Sequence, residues 1–271
     1  MVKQLIFSLL VCIISCFAKA NDSSIVFKHF KTIHGDFKNF SVDNLGNIYL
    51  INSSNQIKKL NNNFDSVAVF NDTRQYGNIT QIDVSNPLKI LIFYGEFSTI
   101  LVLDRFLNVR NKIDLRKQNI FKASTITLSY DNYIWLFDEL ENKIKKVSDD
   151  GIVLIESNDF RMVLDSLFVP ETIIDNDGML YLYNPLKGLI ISDYYGAIKK
   201  LNPILHLKYF QINGNNFVGF KKHEMFNYST NLLQSYIKKV IGLDTSSSKV
   251  LIKEKFCFQL LQNEIEVKIL E

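Results

Sequence analysis

Polar and apolar positions along this chain recur in a repeating unit. The clearest copy opens on the polar turn Asp43-Asn44-Leu45-Gly46-Asn47, enters the apolar run Ile48-Tyr49-Leu50, and resumes at Gln56-Ile57-Lys58-Lys59-Leu60. A second copy begins Asp131-Asn132-Tyr133 and continues through Ile134-Trp135-Leu136-Phe137 and Lys143-Ile144-Lys145-Lys146-Val147 to Asp149-Asp150-Gly151-Ile152-Val153-Leu154. A third runs from Asp175-Asn176-Asp177-Gly178 through Met179-Leu180-Tyr181-Leu182-Tyr183 and Gly188-Leu189-Ile190-Ile191 to a Tyr195-Gly196 turn and Ala197-Ile198. Worn copies cover Pro87–Phe93 with Thr99–Leu103, Asn215–Phe220 and Lys255–Phe258. Short β-branched and aromatic runs bounded by Asp, Asn and Gly predict strands joined by tight turns.

Anchored on Tyr49, Leu91, Trp135, Tyr181, Val218 and Cys257, the units step by 42, 44, 46, 37 and 39 residues. Four short strands with their turns occupy about 40–45 residues, the length of one propeller blade. The spacing therefore predicts an all-β chain, a β-propeller of six blades, each a four-stranded antiparallel sheet, over residues 21–271. Five blades is the alternative, because the last third of the chain repeats poorly. A propeller must close its ring, and the alternating segment Val26–Thr32 is expected to pair with Glu264–Ile269.

The stretch from Asn142 to Leu154 and the opening turn at Asp43 resemble NHL-type blades, in which a strand ends at an Asp-x-x-Gly-like turn and re-enters the sheet. The resemblance spans residues 26–271 and is sharp in three units. It implies a six-bladed propeller and no reaction. Glycine is scarce for such a family, and Ser85-Asn86-Pro87 stands where the second unit should have its turn glycine.

The first twenty residues break the pattern. Lys3 precedes an uncharged run from Leu5 to Phe17, and Ala18-Lys19-Ala20 follows. This is the layout of a secretory signal peptide over residues 1–20, with Ala18 and Ala20 at the cleavage site and Asn21 the first mature residue. The apolar run spans only about 20 Å as a helix, short of a ~30 Å hydrocarbon core. Ile13-Ile14-Ser15-Cys16 also resembles a bacterial lipobox, which would acylate Cys16 and make it the means of membrane attachment. Cleavage after Ala20 leaves Cys257 as the single cysteine, so no internal disulfide can form. Its apolar neighbours Phe256 and Phe258 predict a buried strand residue.

Charge narrows the partners. The whole chain carries a net charge of +3, and the segment after residue 20 carries +1, since Lys3 and Lys19 lie before it. That lacks the basic excess a nucleic-acid binder needs. Ile-Lys-Lys elements at Ile57, Ile144, Ile198 and Ile237 read as solvated edge strands, whose lysines discourage edge-to-edge pairing.

The candidate chemistry is sparse. Asp43, Asp131 and Asp175 open units and are expected to cap turns through backbone N–H groups; a ring of metal ligands is the less favoured reading. His29, His34, His206 and His223 fit no metal-binding spacing, and no nucleophile-elbow, phosphate-loop or dinucleotide motif is present. No catalytic residue, metal or cofactor is expected. Tyr194 and Tyr195 are candidates to grip a partner from a loop. Leu233, Tyr236 and Ile237 are further candidates, in a stretch from Thr230 to Ile241 that reads equally as a short amphipathic helix or a degraded strand. The whole predicts a lone exported propeller, periplasmic or extracellular or an outer-membrane lipoprotein. It would act without catalysis as an interaction or scaffolding module for another envelope protein. The alternative is a carbohydrate-binding or hydrolytic site at the channel mouth.

Overall fold

A computed structural model describes residues 24–71, 76–229, 234–244, 246–262 and 264–271. The first strand, β1 (Ile25–His34), precedes five blades that follow in chain order. Blade 1 is β2 (Phe37–Val42), β3 (Ile48–Asn52), β4 (Ile57–Leu60) and β5 (Ser66–Phe70). Blade 2 is β6 (Gln81–Asn86), β7 (Lys89–Tyr94), β8 (Thr99–Leu103) and β9 (Val109–Asp114). Blade 3 is β10 (Ala123–Leu128), β11 (Ile134–Asp138), β12 (Lys143–Val147) and β13 (Val153–Glu156). Blade 4 is β14 (Thr172–Asn176), β15 (Met179–Asn184), β16 (Gly188–Asp193) and β17 (Ile198–Asn202). Blade 5 is β18 (Lys208–Asn213), β19 (Asn216–Lys221), β20 (Glu224–Ser229) and β21 (Gln234–Ile241). The last strands, β22 (Lys249–Lys253), β23 (Phe256–Leu260) and β24 (Glu264–Leu270), form blade 6 with β1 as its outermost strand.

The chain is thus a six-bladed β-propeller of four-stranded antiparallel sheets. All six spacing anchors fall on the second strand of their blade. Closure follows the expected pairing: β1 runs antiparallel to β24 from Phe27 opposite Leu270 to His34 opposite Glu264, with a bulge between His29 and Lys31. The start of β1 also pairs in parallel with β21, at Ile25–Val240 and Val26–Ile241, which ties blade 5 to blade 6.

Each second strand is buried on both faces, and its alternation divides the core. In β7, Ile90 and Ile92 pack toward blade 1, whereas Leu91 and Phe93 pack toward blade 3. In β11, Ile134 and Leu136 face blade 2, and Trp135 and Phe137 face blade 4. Six apolar clusters result among the described residues, one at each junction between neighbouring blades. Burying one Leu, Ile or Phe in such a cluster contributes about 1.5–3 kcal/mol.

The six innermost strands β2, β6, β10, β14, β18 and β22 neighbour one another in a ring. Polar side chains link the backbone of adjacent inner strands. The Gln81 amide accepts from Ile126 N at 3.0 Å and donates to Ile126 O at 2.8 Å. Gln211 repeats this on blade 6, accepting from Ile252 N at 2.7 Å and donating to Val250 O at 3.2 Å. Asp83 accepts from Leu128 N, and Lys249 Nζ donates to Phe40 O.

The recurring turn explains the scarcity of glycine. Asp43 Oδ1 accepts the N–H groups of Leu45 and Asn47, and the fourth turn residue, Gly46, has φ +78°. Asp104 does the same for Phe106 and Asn108, but its fourth residue is Leu107 at φ +64°. The Asx side chain organises the turn even where no glycine relieves the left-handed position.

Of the two readings left open for the stretch from Thr230 to Ile241, the strand holds: Gln234–Ile241 is β21, because buried Val240 and the register with β20 place it in the blade sheet. Two expectations need correction. The Ile57 and Ile144 elements lie on third strands, where Lys59, Lys145 and Lys146 are buried; only the Ile198 and Ile237 elements sit on outermost strands. Asp175 lies within β14 and its carboxylate reaches the neighbouring blade, so it does not cap its own turn.

Candidate functional site

Turns joining first to second strands, and third to fourth, emerge on one face of the ring. On that face, at blades 2 to 4, the ends of the inner strands enclose a cleft of about 620 Å³. Ser85 and Asn86 line it from blade 2, Leu128, Ser129, Tyr130 and Asn132 from blade 3, and Asp175–Gly178 with Tyr194 from blade 4. Asp177 (φ +49°) and Gly178 (φ +77°) form a two-residue hairpin turn between Asn176 and Met179, a geometry that Asp-Gly favours.

Aromatic rings from two blades build the wall of this cleft. Tyr130 lies flat on Tyr194, with centroids 5.5 Å apart and planes 11° apart. Trp135 packs against the same Tyr194 at 5.6 Å. The Tyr194 hydroxyl donates to Asp175 Oδ1, and Ser129 Oγ donates to Asp175 Oδ2 at 2.8 Å. Burial, then the neighbouring Asp175 carboxylate, raises the Tyr194 hydroxyl well above its ordinary pKa.

Behind the rings sits Lys146. Its ammonium lies between 4.8 and 5.7 Å from the ring centroids of Trp135, Tyr194, Tyr130 and Tyr133 and pairs with Asp131. Burial would raise the Asp131 carboxyl, but the Lys146 ammonium and the Tyr133 N–H outweigh it and hold the group below the usual carboxylate range. Its strand neighbour Lys145 points to the other side of the sheet, where Nζ meets Asp138 at 2.9 Å and Glu141 at 2.8 Å.

The opposite face carries the second-to-third-strand turns and the connections between blades. In blades 2 to 4 it exposes the apolar side chains of Phe97, Phe121, Leu140, Met162, Leu167 and Leu186, set among exposed charged residues such as Glu96, Lys117, Lys122 and Lys187. These loops form one hydrogen-bonded series. Ser98 Oγ reaches Phe121 O, Glu139 N reaches Lys122 O, Asn142 Nδ2 reaches Phe168 O, and Asn184 Nδ2 reaches Val169 O. The longest connection, between blades 3 and 4, is pinned by Phe160 and Phe168, both buried against Phe137. Between these anchors the single helical turn Arg161–Leu164 holds Met162 81% exposed.

The residues singled out from the sequence scatter. Tyr194 belongs to the cleft wall, and Tyr195 is exposed in the adjoining turn on the same face. Tyr236 and Ile237 are exposed on the outermost strand of blade 5, away from the cleft lining. Leu233, Cys16, Ala18, Ala20 and Asn21 lie outside the described residues. Tyr130, Asn86, Asn132 and Lys146 were missed; only the position of Tyr130 beside the Asp131 turn hinted at it. No group of three or more metal-ligating side chains occurs among the described residues, and none of the four histidines lines the cleft. Cys257 is fully buried, and burial pushes its thiol up to about 12.

No protein-family model and no curated protein sequence matches the chain. Solved structures do. A streptogramin B lyase shares 16% identity at a TM-score of 0.61, over 86% of this chain and 78% of the other. Virginiamycin B lyase from Staphylococcus aureus shares 12% identity at 0.57, over 93% of this chain and 97% of the other. A chain of the mitotic checkpoint complex shares 6% identity at the same score, over 89% and 94%. A lyase and a chain of a checkpoint complex have nothing chemical in common by name, so what this chain shares with them is the β-propeller fold.

Proposed function

We propose that this chain is an exported, NHL-like propeller that works without catalysis as a protein-interaction module of the cell envelope. On this reading residues 1–20 are its signal peptide, and it is either released after Ala20 or held at a membrane through Cys16. The apolar rim of blades 2 to 4 carries the proposal. Scattered exposed apolar residues are ordinary on a protein surface, but a run supplied by successive hydrogen-bonded loops is the usual mark of an interaction site.

The rim's charges favour a protein over a lipid or polyanion. Lys122 pairs with Glu139, Arg116 with Asp114 and Arg161 with Asp159, and the further exposed cations Lys117 and Lys187 are balanced in number by the exposed acids Glu96, Asp165 and Glu171, so the rim carries no basic excess. The occupant that fits is a folded protein presenting its own apolar patch, with a largely neutral border.

Crosslinked capture from the native envelope tests this with two charge-introducing variants, Met162→Asp and Leu186→Asp. A stoichiometric partner retained by the wild type and lost from both variants is the expected result. A partner held equally by all three proteins overturns the assignment of the rim. The intact mass of the native protein separates a chain beginning at Asn21 from one acylated on Cys16.

A further inference from the structure

The cleft on the opposite face has features the docking rim lacks. Tyr130 is 75% exposed, yet its ring is stacked on Tyr194, which is in turn hydrogen-bonded to Asp175 and packed on Trp135. An exposed aromatic face that is already ordered offers a platform on which a ligand loses little further conformational freedom. Around it stand the amides of Asn86, Asn132 and Asn176; Asn86 Nδ2 donates to Asn132 Oδ1 at 3.3 Å, Asn86 Oδ1 accepts the Leu88 N–H at 3.0 Å and Asn176 Nδ2 donates to Asp177 Oδ2 at 3.5 Å, which leaves each amide at least one N–H to offer a ligand.

The charged groups nearby are already engaged. Both oxygens of Asp175 take internal donors, Asp131 pairs with Lys146, and Asp149 pairs with Lys89. Asp177, exposed on its turn, is the remaining carboxylate of the lining. A ligand cation would find the inner side of the aromatic cluster occupied, since the Lys146 ammonium stands within 5.6 Å of both Tyr130 and Tyr194. The occupant these features suit has an apolar flat face, many hydroxyls and no charge. The volume, about 620 Å³, lies in the range of small-ligand sites.

We propose that this cleft binds neutral carbohydrate, with one sugar ring laid on Tyr130 and its hydroxyls met by Asn86, Asn132, Asn176 and Asp177. The site is separate from the apolar rim, and it can hold or fail independently of the partner-docking reading.

The test is a printed panel of neutral oligosaccharides, including chitotriose, maltotriose and cellotriose, beside a lysine-rich peptide. Binding is then titrated through the emission of Trp135, the single tryptophan, which touches Tyr194. The expected result is saturable binding of at least one neutral glycan, weakened at least tenfold in Tyr130→Ala and measurably in Asn176→Ala, with Met162→Asp unaffected. Matching thermal midpoints establish that the exposed Tyr130→Ala variant is folded. No neutral glycan bound at millimolar concentration, binding of the peptide alone, or unchanged affinity in Tyr130→Ala each overturns the proposal.

Discussion

The ammonium of Lys146 lies 4.8 Å from the ring centroid of Trp135, at the junction of blades 3 and 4. Lys146 is 4% exposed, and its counter-ion Asp131 stands nearer the surface. A desolvated cation–π contact contributes up to about 2 kcal/mol. Lys146→Met removes that contact together with the ion pair, so a loss of about 2 kcal/mol is expected. Urea unfolding followed through Trp135 measures it, and the native emission maximum should shift as well, because the charge beside the indole is gone. A variant with unchanged stability and emission would show the contact to be incidental.

A second lysine answers to different physics. Asp138 and Lys145 are both almost fully buried, and Asp138 also accepts the N–H groups of Leu140 and Glu141. Burial lowers the Lys145 ammonium, but Glu141 and Asp138 outweigh it and raise the group above its ordinary value. Asp138→Ala strips the buried cation of one partner and frees two backbone donors, for an expected cost of about 3 kcal/mol. Asp138→Asn, which still accepts from the turn, should cost less. Chemical denaturation of the two variants ranks them, and equal losses would contradict the role given to the turn.

Lys249 supplies a pH dependence. It donates to Phe40 O at 2.7 Å and Asn39 Oδ1 at 2.8 Å, and burial in the inner ring lowers its pKa to about 8. The unfolded chain holds that proton to about pH 10.4. Between these values the unfolded state binds more protons, so this group makes stability rise with pH from about 8 to 10.4 and leaves it flat below. The rise is up to about 3 kcal/mol. Lys249→Met should abolish it. The wild-type-minus-variant difference in unfolding free energy, measured at pH 7 and pH 10, reads this contribution apart from every other titrating group.

Ring closure gives a sharper outcome. Strand β24 carries Ile265 and Val267, both fully buried, and is hydrogen-bonded to β23 on one side and β1 on the other. Deleting residues 262–271 exposes the core of blade 6 and leaves β1 without its antiparallel partner. Loss of a cooperative thermal transition in circular dichroism is expected. A truncated chain that melts like the full one would mean the ring does not depend on this closure.

Blade number and strand order were readable from local pattern. The reason is physical: each second strand is buried on both faces, so it must be a continuous apolar run, and six such runs mark six blades even where turn glycines are missing. Closure was readable too, because β1 and β24 each carry the alternation of a sheet strand. The fate of the lysines was not. Ile-Lys-Lys looks alike at Ile144 and Ile198, yet one copy lands on a third strand between blades and the other on an outer edge. Nor could the two faces be assigned, since Tyr130 and Tyr194 lie far apart in sequence and meet only when neighbouring blades pack. Turn chemistry and strand burial act over a few residues and leave their mark in the sequence. The cleft, its caged cation and the apolar rim arise from contacts between blades, which are decided when the ring closes.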